Sequence, residues 1–237
     1  MDSSGDHSPN WNAYFFVSPY ARTKSTAQGI CGEIIQDICR EKCGENCQGI
    51  CWSVLSERVV GIKEECRIRE QDFANFQTKG EISGIRTARN NYGTFFFRYP
   101  KGESPADIYD RISTFLKTLW RDIDMKRLSS DPSSPELSIV IVSNGTTIRV
   151  FLTRWFKWSA EQYNELWETG NCEIRVMTKG PIGEYSLAFE HDEETMKRWG
   201  LFEDTIKDQI HRKDAKPGEY VWKENSETYI ENFLSRT

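Results

Sequence analysis

The chain has 237 residues, enough for one α/β domain with a full core, and its formal charge of −5 is mild for that length. No basic stripe or basic helix stands out and the pI is about 5.4, which excludes the usual electrostatic footprint of a nucleic-acid binder. No apolar signal segment opens the sequence and no run is long enough to span a bilayer, so no membrane association is expected, and the cytoplasm or the nucleus is the expected compartment.

In chain order, residues 1–10 are polar, carry Gly5 and Pro9, and read as a disordered start. A strand is expected over 12–17 and a helix from Tyr20 to about Ile38. Cys39, Cys43, Cys47 and Cys51 then recur at a four-residue step, which would follow one slowly drifting helical face. Four thiolates are a potential zinc site, although structural sites draw their ligand pairs from separate turns. The other reading is small side chains lining a helix face or loop within a local insertion near 39–52. A short strand is expected within 58–66 and a polar helix over 81–92. The clearest helix covers 104–122, opened by Ser104-Pro-Ala-Asp, with Ile108, Ile112, Phe115, Leu116 and Leu119 on one face. After a Ser/Pro-rich loop, 137–142 is apolar almost without alternation and is expected to be a strand buried on both faces. Helices follow near 146–156 and 160–167, then a strand pair, 172–178 and 185–189, around Gly180-Pro-Ile-Gly183. The charged tail after Thr195 holds one expected helix, 202–211.

The most informative point is Asn144, in Leu137-Ser-Ile-Val-Ile-Val-Ser-Asn-Gly145, where the apolar strand breaks into a Gly turn and then a helix. A strand end opening onto a helix N-terminus is a phosphate-sized site, because unpaired backbone N–H groups and the helix dipole both favour an anion there. A side chain at Asn144 is expected to point into it and to keep a hydrogen-bond donor there.

That run resembles the Ser/Thr-His-Gly turn of the histidine phosphatase superfamily, with the histidine replaced by an amide. Phe15-Phe-Val-Ser-Pro-Tyr-Ala-Arg-Thr23 resembles the family's Ser-Pro-x-x-Arg-Thr element, which implies that Arg22 binds phosphate. The segment Cys66-Arg-Ile-Arg-Glu-Gln-Asp-Phe73 is similar to the one carrying the proton-donor glutamate, which implies an acid or base role for Glu70. Phe96-Phe-Arg-Tyr-Pro-Lys-Gly-Glu-Ser104 resembles the Gly-Glu-Ser loop and implies phosphate contacts from Glu103 and Ser104, which also read as an ordinary helix N-cap region. Arg69-Glu-Gln-Asp-Phe73 and Thr153-Arg-Trp-Phe-Lys-Trp158 resemble the plant, phosphoglycerate mutase-like branch in particular.

The resemblance implies a three-layer α/β/α, phosphoglycerate mutase-like fold over 11–191 lacking its first strand and helix, followed by a charged extension over 192–237. It implies no cofactor and no metal. The family's first strand ends in Arg-His-Gly, whose histidine accepts the phosphoryl group; the three histidines here, His7, His191 and His211, stand in no such motif. The expectation is therefore a truncated, degenerate member: a pseudophosphatase whose partner is a phosphate ester or phosphoprotein. The alternatives are an active phosphomonoesterase or mutase with an upstream Arg-His-Gly, and a cysteine-rich interaction or metal-binding module.

Overall fold

A computed structural model describes residues 11–43, 55–56, 58–74, 79–128 and 136–216. The chain forms two compact units, Met1–Asn164 with Glu168–Cys172, and Glu165–Trp167 with Glu173–Thr237. The division falls near 165–173.

The first unit is built on a parallel sheet of β1 (Trp11–Val17), β2 (Val59–Glu64) and β3 (Glu136–Val142), in the order β2-β1-β3. Helices lie on both faces. On one, α1 (Ala21–Cys43) presents Ala27, Cys31, Ile35 and Cys39, one residue per turn, to Ala13, Phe15 and Val17 of β1. On the other, Phe16 meets Phe115 edge-on at 5.3 Å, and Phe115 belongs to α3 (Pro105–Asp124), whose Ile108, Ile112, Leu116 and Leu119 are also buried. Side chains alternate across a strand, so Phe15 and Phe16 necessarily serve opposite layers. At the irregularity between Ala13 and Tyr14, Gly61 of β2 lies under the Tyr14 ring, and a Cβ there would run into it.

Two expectations are corrected here. The strand buried on both faces is β1, which pairs with a neighbour on each side; β3 has one strand partner among the described residues, and only its Val142 is buried. An unbroken apolar run does not by itself distinguish a central strand from a partly covered outer one. The helix expected to stop near Ile38 runs on to Cys43. Of the cysteine series, Cys39 is a buried free thiol, whereas Cys47 and Cys51 lie outside the described residues. Also in this unit are α2 (Lys79–Tyr92), α4 (Gly145–Phe156) and α5 (Ala160–Glu165).

In the second unit β4 (Thr178–Lys179) and β5 (Tyr185–Ser186) form an antiparallel pair around a turn that closes through Gly183, at φ +86°. The ladder is far shorter than expected, since the Val176 N–H donates to the His191 imidazole at 2.9 Å and not to a strand. His191 is accordingly half-buried. Helices α6 (Glu193–Arg198) and α7 (Glu203–Asp214) follow. The first went unpredicted because its six residues bury only Met196; its start is fixed by Asp192, which accepts the Thr195 N–H at 2.8 Å. Gln209 of α7, fully buried, accepts the Leu187 N–H at 3.0 Å and takes the Ser186 hydroxyl on its own carbonyl at 2.6 Å.

Among the described residues no helix is long and apolar enough to cross a membrane.

Candidate functional site

The C-terminal ends of β1 and β3 lie side by side, with Val17 opposite Val142, and the chain leaves both toward the same place. From β1 it enters Ser18-Pro-Tyr-Ala-Arg-Thr23. Thr23 explains the terminal threonine of this element: its buried hydroxyl donates to the carbonyls of Ser18 (2.8 Å) and Tyr20 (2.7 Å), fixing the tight entry into α1. One residue earlier, Arg22 projects from the first turn of α1, stacked on Tyr20 with its guanidinium carbon 4.6 Å from the ring centroid. From β3 the chain passes Ser143 and Asn144 into α4. Gly145 lies at a close approach, where a Cβ would come within 3.1 Å of the Thr169 carbonyl.

Arg22, Glu70 and Asn144, three of the residues singled out in the sequence, come together. The Arg22 Nε–H donates to Asn144 Oδ1 at 2.8 Å, and Arg22 Nη2 reaches Glu70 Oε2 at 3.3 Å. The Arg22 side chain keeps 58% of its surface exposed and Glu70 18%, so the arginine stands at the mouth and the carboxylate behind it. Burial pushes the Glu70 carboxyl above its ordinary value, against the pull of the Gln71 N–H and Arg22; Glu168 adds to the upward push.

Asn144 is not placed as the sequence suggested. It is the N-cap of α4 but makes no capping bond from its side chain. Its Nδ2 donates to the hydroxyl of Ser18 at 3.3 Å and its Oδ1 faces Arg22, so both ends of the amide are engaged within the protein.

Glu103 and Ser104 stand apart from this cluster. Ser104 caps α3 reciprocally with Asp107: the Asp107 N–H donates to its hydroxyl at 3.2 Å, and its own N–H donates to Asp107 Oδ2 at 2.7 Å. Glu103 pairs with Arg69, accepts from Arg111 at 3.2 Å and from the Asp72 N–H at 3.0 Å. Neither residue bonds to Arg22, Glu70 or Asn144. Glu103 braces the segment on which Glu70 sits, while Ser104 fixes the start of α3.

That segment shows what sequence reasoning missed. Four consecutive carbonyls accept from side chains distant in sequence: Arg67 O from Arg111 Nη1 (2.6 Å), Ile68 O from Ser143 Oγ (2.7 Å), Arg69 O from Thr147 Oγ1 (2.8 Å) and Glu70 O from Arg111 Nη2 (3.2 Å). Apart from one 3-10 turn over Cys66–Ile68 this segment has no ladder of its own, and these donors from α3, α4 and the Asn144 turn serve its carbonyls. Arg111 lies on the helix expected over 104–122, but a single arginine on a helix carries no signal of this role. Arg149, on α4, is likewise structural: it is buried against the Tyr163 ring at 4.0 Å and donates to the Tyr163 carbonyl.

Elsewhere in the first unit, a cavity of about 300 Å³ opens beside Trp11, Ile34, Ile38 and Arg58, at the opposite end of β1, and shares no residue with the cluster. Among the described residues no grouping of His, Cys, Asp and Glu is of a size to hold a metal ion.

Comparison with known proteins bears on this geometry. The family described as histidine phosphatase superfamily (branch 1) matches residues 47–201. Two Arabidopsis thaliana proteins are similar over most of the chain: phosphoglycerate mutase-like protein AT74, 49% identical over 98% of this chain and 66% of its own, and phosphoglycerate mutase-like protein AT74H, 47% identical over 90% and 68%. The broad-range acid phosphatase DET1 of Saccharomyces cerevisiae is 40% identical over 70% of this chain and 58% of its own. The chain spans about two thirds of the length of the two plant relatives.

Proposed function

Because the chain belongs to the histidine phosphatase superfamily, we propose that it is a phosphate-binding member without phosphohistidine chemistry, a pseudophosphatase that holds a phosphate ester or a phosphorylated protein between Arg22 and the Asn144 turn. The observation that carries this reading is Asn144 itself. Phosphohistidine transfer needs an imidazole nucleophile, donors around the equatorial phosphoryl oxygens, an acid for the leaving oxygen and a base for water. At the strand-to-helix turn a protonated imidazole would add positive charge against the phosphoryl oxygens as negative charge develops on them. An amide adds none, and this one has both ends engaged by Ser18 and Arg22.

What remains suits binding. Arg22 is mostly exposed and offers a guanidinium, whose geometry matches phosphate oxygens. The N-terminus of α4 lacks a side-chain cap, leaving its first N–H groups to meet an anion. Glu70, with its carboxyl pushed up by burial, is poised to give or share a proton with a bound phosphate oxygen.

A second reading is favoured by the yeast relative, whose name is that of a broad-range acid phosphatase. It makes this protein an active phosphomonoesterase or mutase, with the nucleophilic Arg-His-Gly supplied by sequence upstream of the present chain. Purified protein assayed against an aryl phosphate and phosphoglycerates, beside Asn144→His and Glu70→Ala, separates the two. The pseudophosphatase reading expects no turnover by the wild type or by either variant. Wild-type turnover that Glu70→Ala abolishes would sink it.

A further inference from the structure

We propose that Asn144 is a positioning residue for Arg22, so that the amide which replaces an imidazole acts on the ligand through the guanidinium and not by direct contact; this rests on the phosphate-binding reading above. The first argument is what Asn144 gives up. An Asn at a helix N-cap ordinarily accepts the N–H of the second or third helical residue. Asn144 occupies the N-cap of α4 with extended backbone angles, φ −111° and ψ 156°, and yet makes no such bond. Its acceptor faces the Arg22 Nε–H instead, at 2.8 Å.

The second argument is orientation. Asn144 is only 6% exposed, so its polar atoms must be satisfied inside the protein. Turning the amide over would set its NH2 against the Nε–H of Arg22, donor against donor. With Oδ1 on Arg22, Nδ2 meets the Ser18 hydroxyl at 3.3 Å and both ends are satisfied. Ser18 is itself fully buried, and its N–H donates to the Val142 carbonyl at 2.9 Å, so the relay Ser18–Asn144–Arg22 is anchored on the paired ends of β1 and β3. The arginine is held by its inner nitrogen. Nη2 retains a weak contact with Glu70, at 3.3 Å, and Nη1 makes no hydrogen bond within the described protein. The outer edge of the fork is left for an anion.

The third argument is electrostatic. The charged groups around the amide are Arg22 from α1, Glu70 from the braced segment and Glu168, which accepts from the Thr146 hydroxyl at 3.4 Å. A neutral imidazole could accept the Nε–H, but once protonated it would have no lone pair for it and would repel the guanidinium. An amide holds Arg22 in the same way at every pH at which the fold survives.

The experiment follows the Arg22 Nε–H directly by ¹⁵N-resolved NMR, with inorganic phosphate as the titrated probe. In the wild type this proton is expected to exchange slowly with water. In Asn144→Ala, folded by the remainder of its spectrum, exchange should rise about tenfold or more, the effect of losing one hydrogen bond to a charged group. Asn144→Asp keeps an acceptor of the same shape and guards against loss of fold: it should keep the Nε–H protected while weakening phosphate binding about tenfold or more through the added negative charge. Asn144→His should protect the proton near pH 8 and release it near pH 5. Unchanged Nε–H exchange in Asn144→Ala, or the same profile at both pH values in Asn144→His, would overturn the proposal. Wild-type protein that protects the proton but binds no phosphate would leave the positioning role standing and remove the phosphate-binding reading.

Discussion

Glu70 and Arg22 meet at 3.3 Å, yet the chain holds them in different ways. Glu70 sits on a segment without regular ladder bonds, fixed through its main chain: carbonyls 67 to 70 each accept from a side chain on another element. Arg22 sits on a regular helix whose backbone needs no help, and is fixed through its side chain by one amide and one aromatic ring. A carboxylate is short, so its position follows its backbone. An arginine carries a long, flexible stem, and a helix alone cannot aim its head.

The contrast can be broken most severely at Arg111. Its side chain is 11% exposed and joins two carbonyls of the Glu70 segment to the carboxylate of Glu103. Arg111→Ala would strand both carbonyls and leave Glu103 with Arg69 and the Asp72 N–H. A stability loss of about 3 kcal/mol or more is expected in urea denaturation. Arg111→Lys should recover only part of it, because one ammonium cannot replace the fork. Full recovery by lysine would show that charge, not geometry, is what the segment requires.

A gentler cut is Thr147→Val, which keeps volume and removes only the hydroxyl that serves the Arg69 carbonyl. The expected loss is about 1–2 kcal/mol, with an Arg22 Nε–H unchanged in exchange. If that proton were released as well, the two arms would not be independently held.

The smallest effect comes from the contact between the arms. Burial raises the Glu70 carboxyl in the folded protein, against the opposing pull of the Gln71 N–H and Arg22. The folded state therefore binds this proton at pH values where the unfolded chain has released it. Stability contributed by the protonated form is complete below the ordinary carboxylate value and declines as pH rises through the raised one. Glu70→Gln should remove that decline and leave the protein as stable as the wild type, or more so by up to about 1 kcal/mol, at neutral pH. A clear loss of stability would mean that the ion pair with Arg22 outweighs desolvation.

These contrasts also mark what the sequence discloses. The strand 12–17, the helix opened by Ser104 and the strand-turn-helix at Asn144 are local, periodic patterns, and the structure contains each of them. Arg22, Glu70 and Asn144 were legible through motifs that travel with the family. The carbonyl braces were not, because they join residues 41 to 78 positions apart by chemistry that any serine, threonine or arginine could supply. The bracing role of Glu103 was hidden for a related reason: its partners Arg69, Arg111 and the Asp72 N–H come to it only in the fold.

The four engaged carbonyls bear on how the site could adapt to an occupant. Adjustment on ligand arrival requires bonds that exchange cheaply, and between residues 67 and 70 every such rearrangement would abandon a carbonyl to a poor partner. Induced fit is thereby steered to the other wall, where the arginine can swing on its stem by releasing an amide, a ring and one long contact with Glu70.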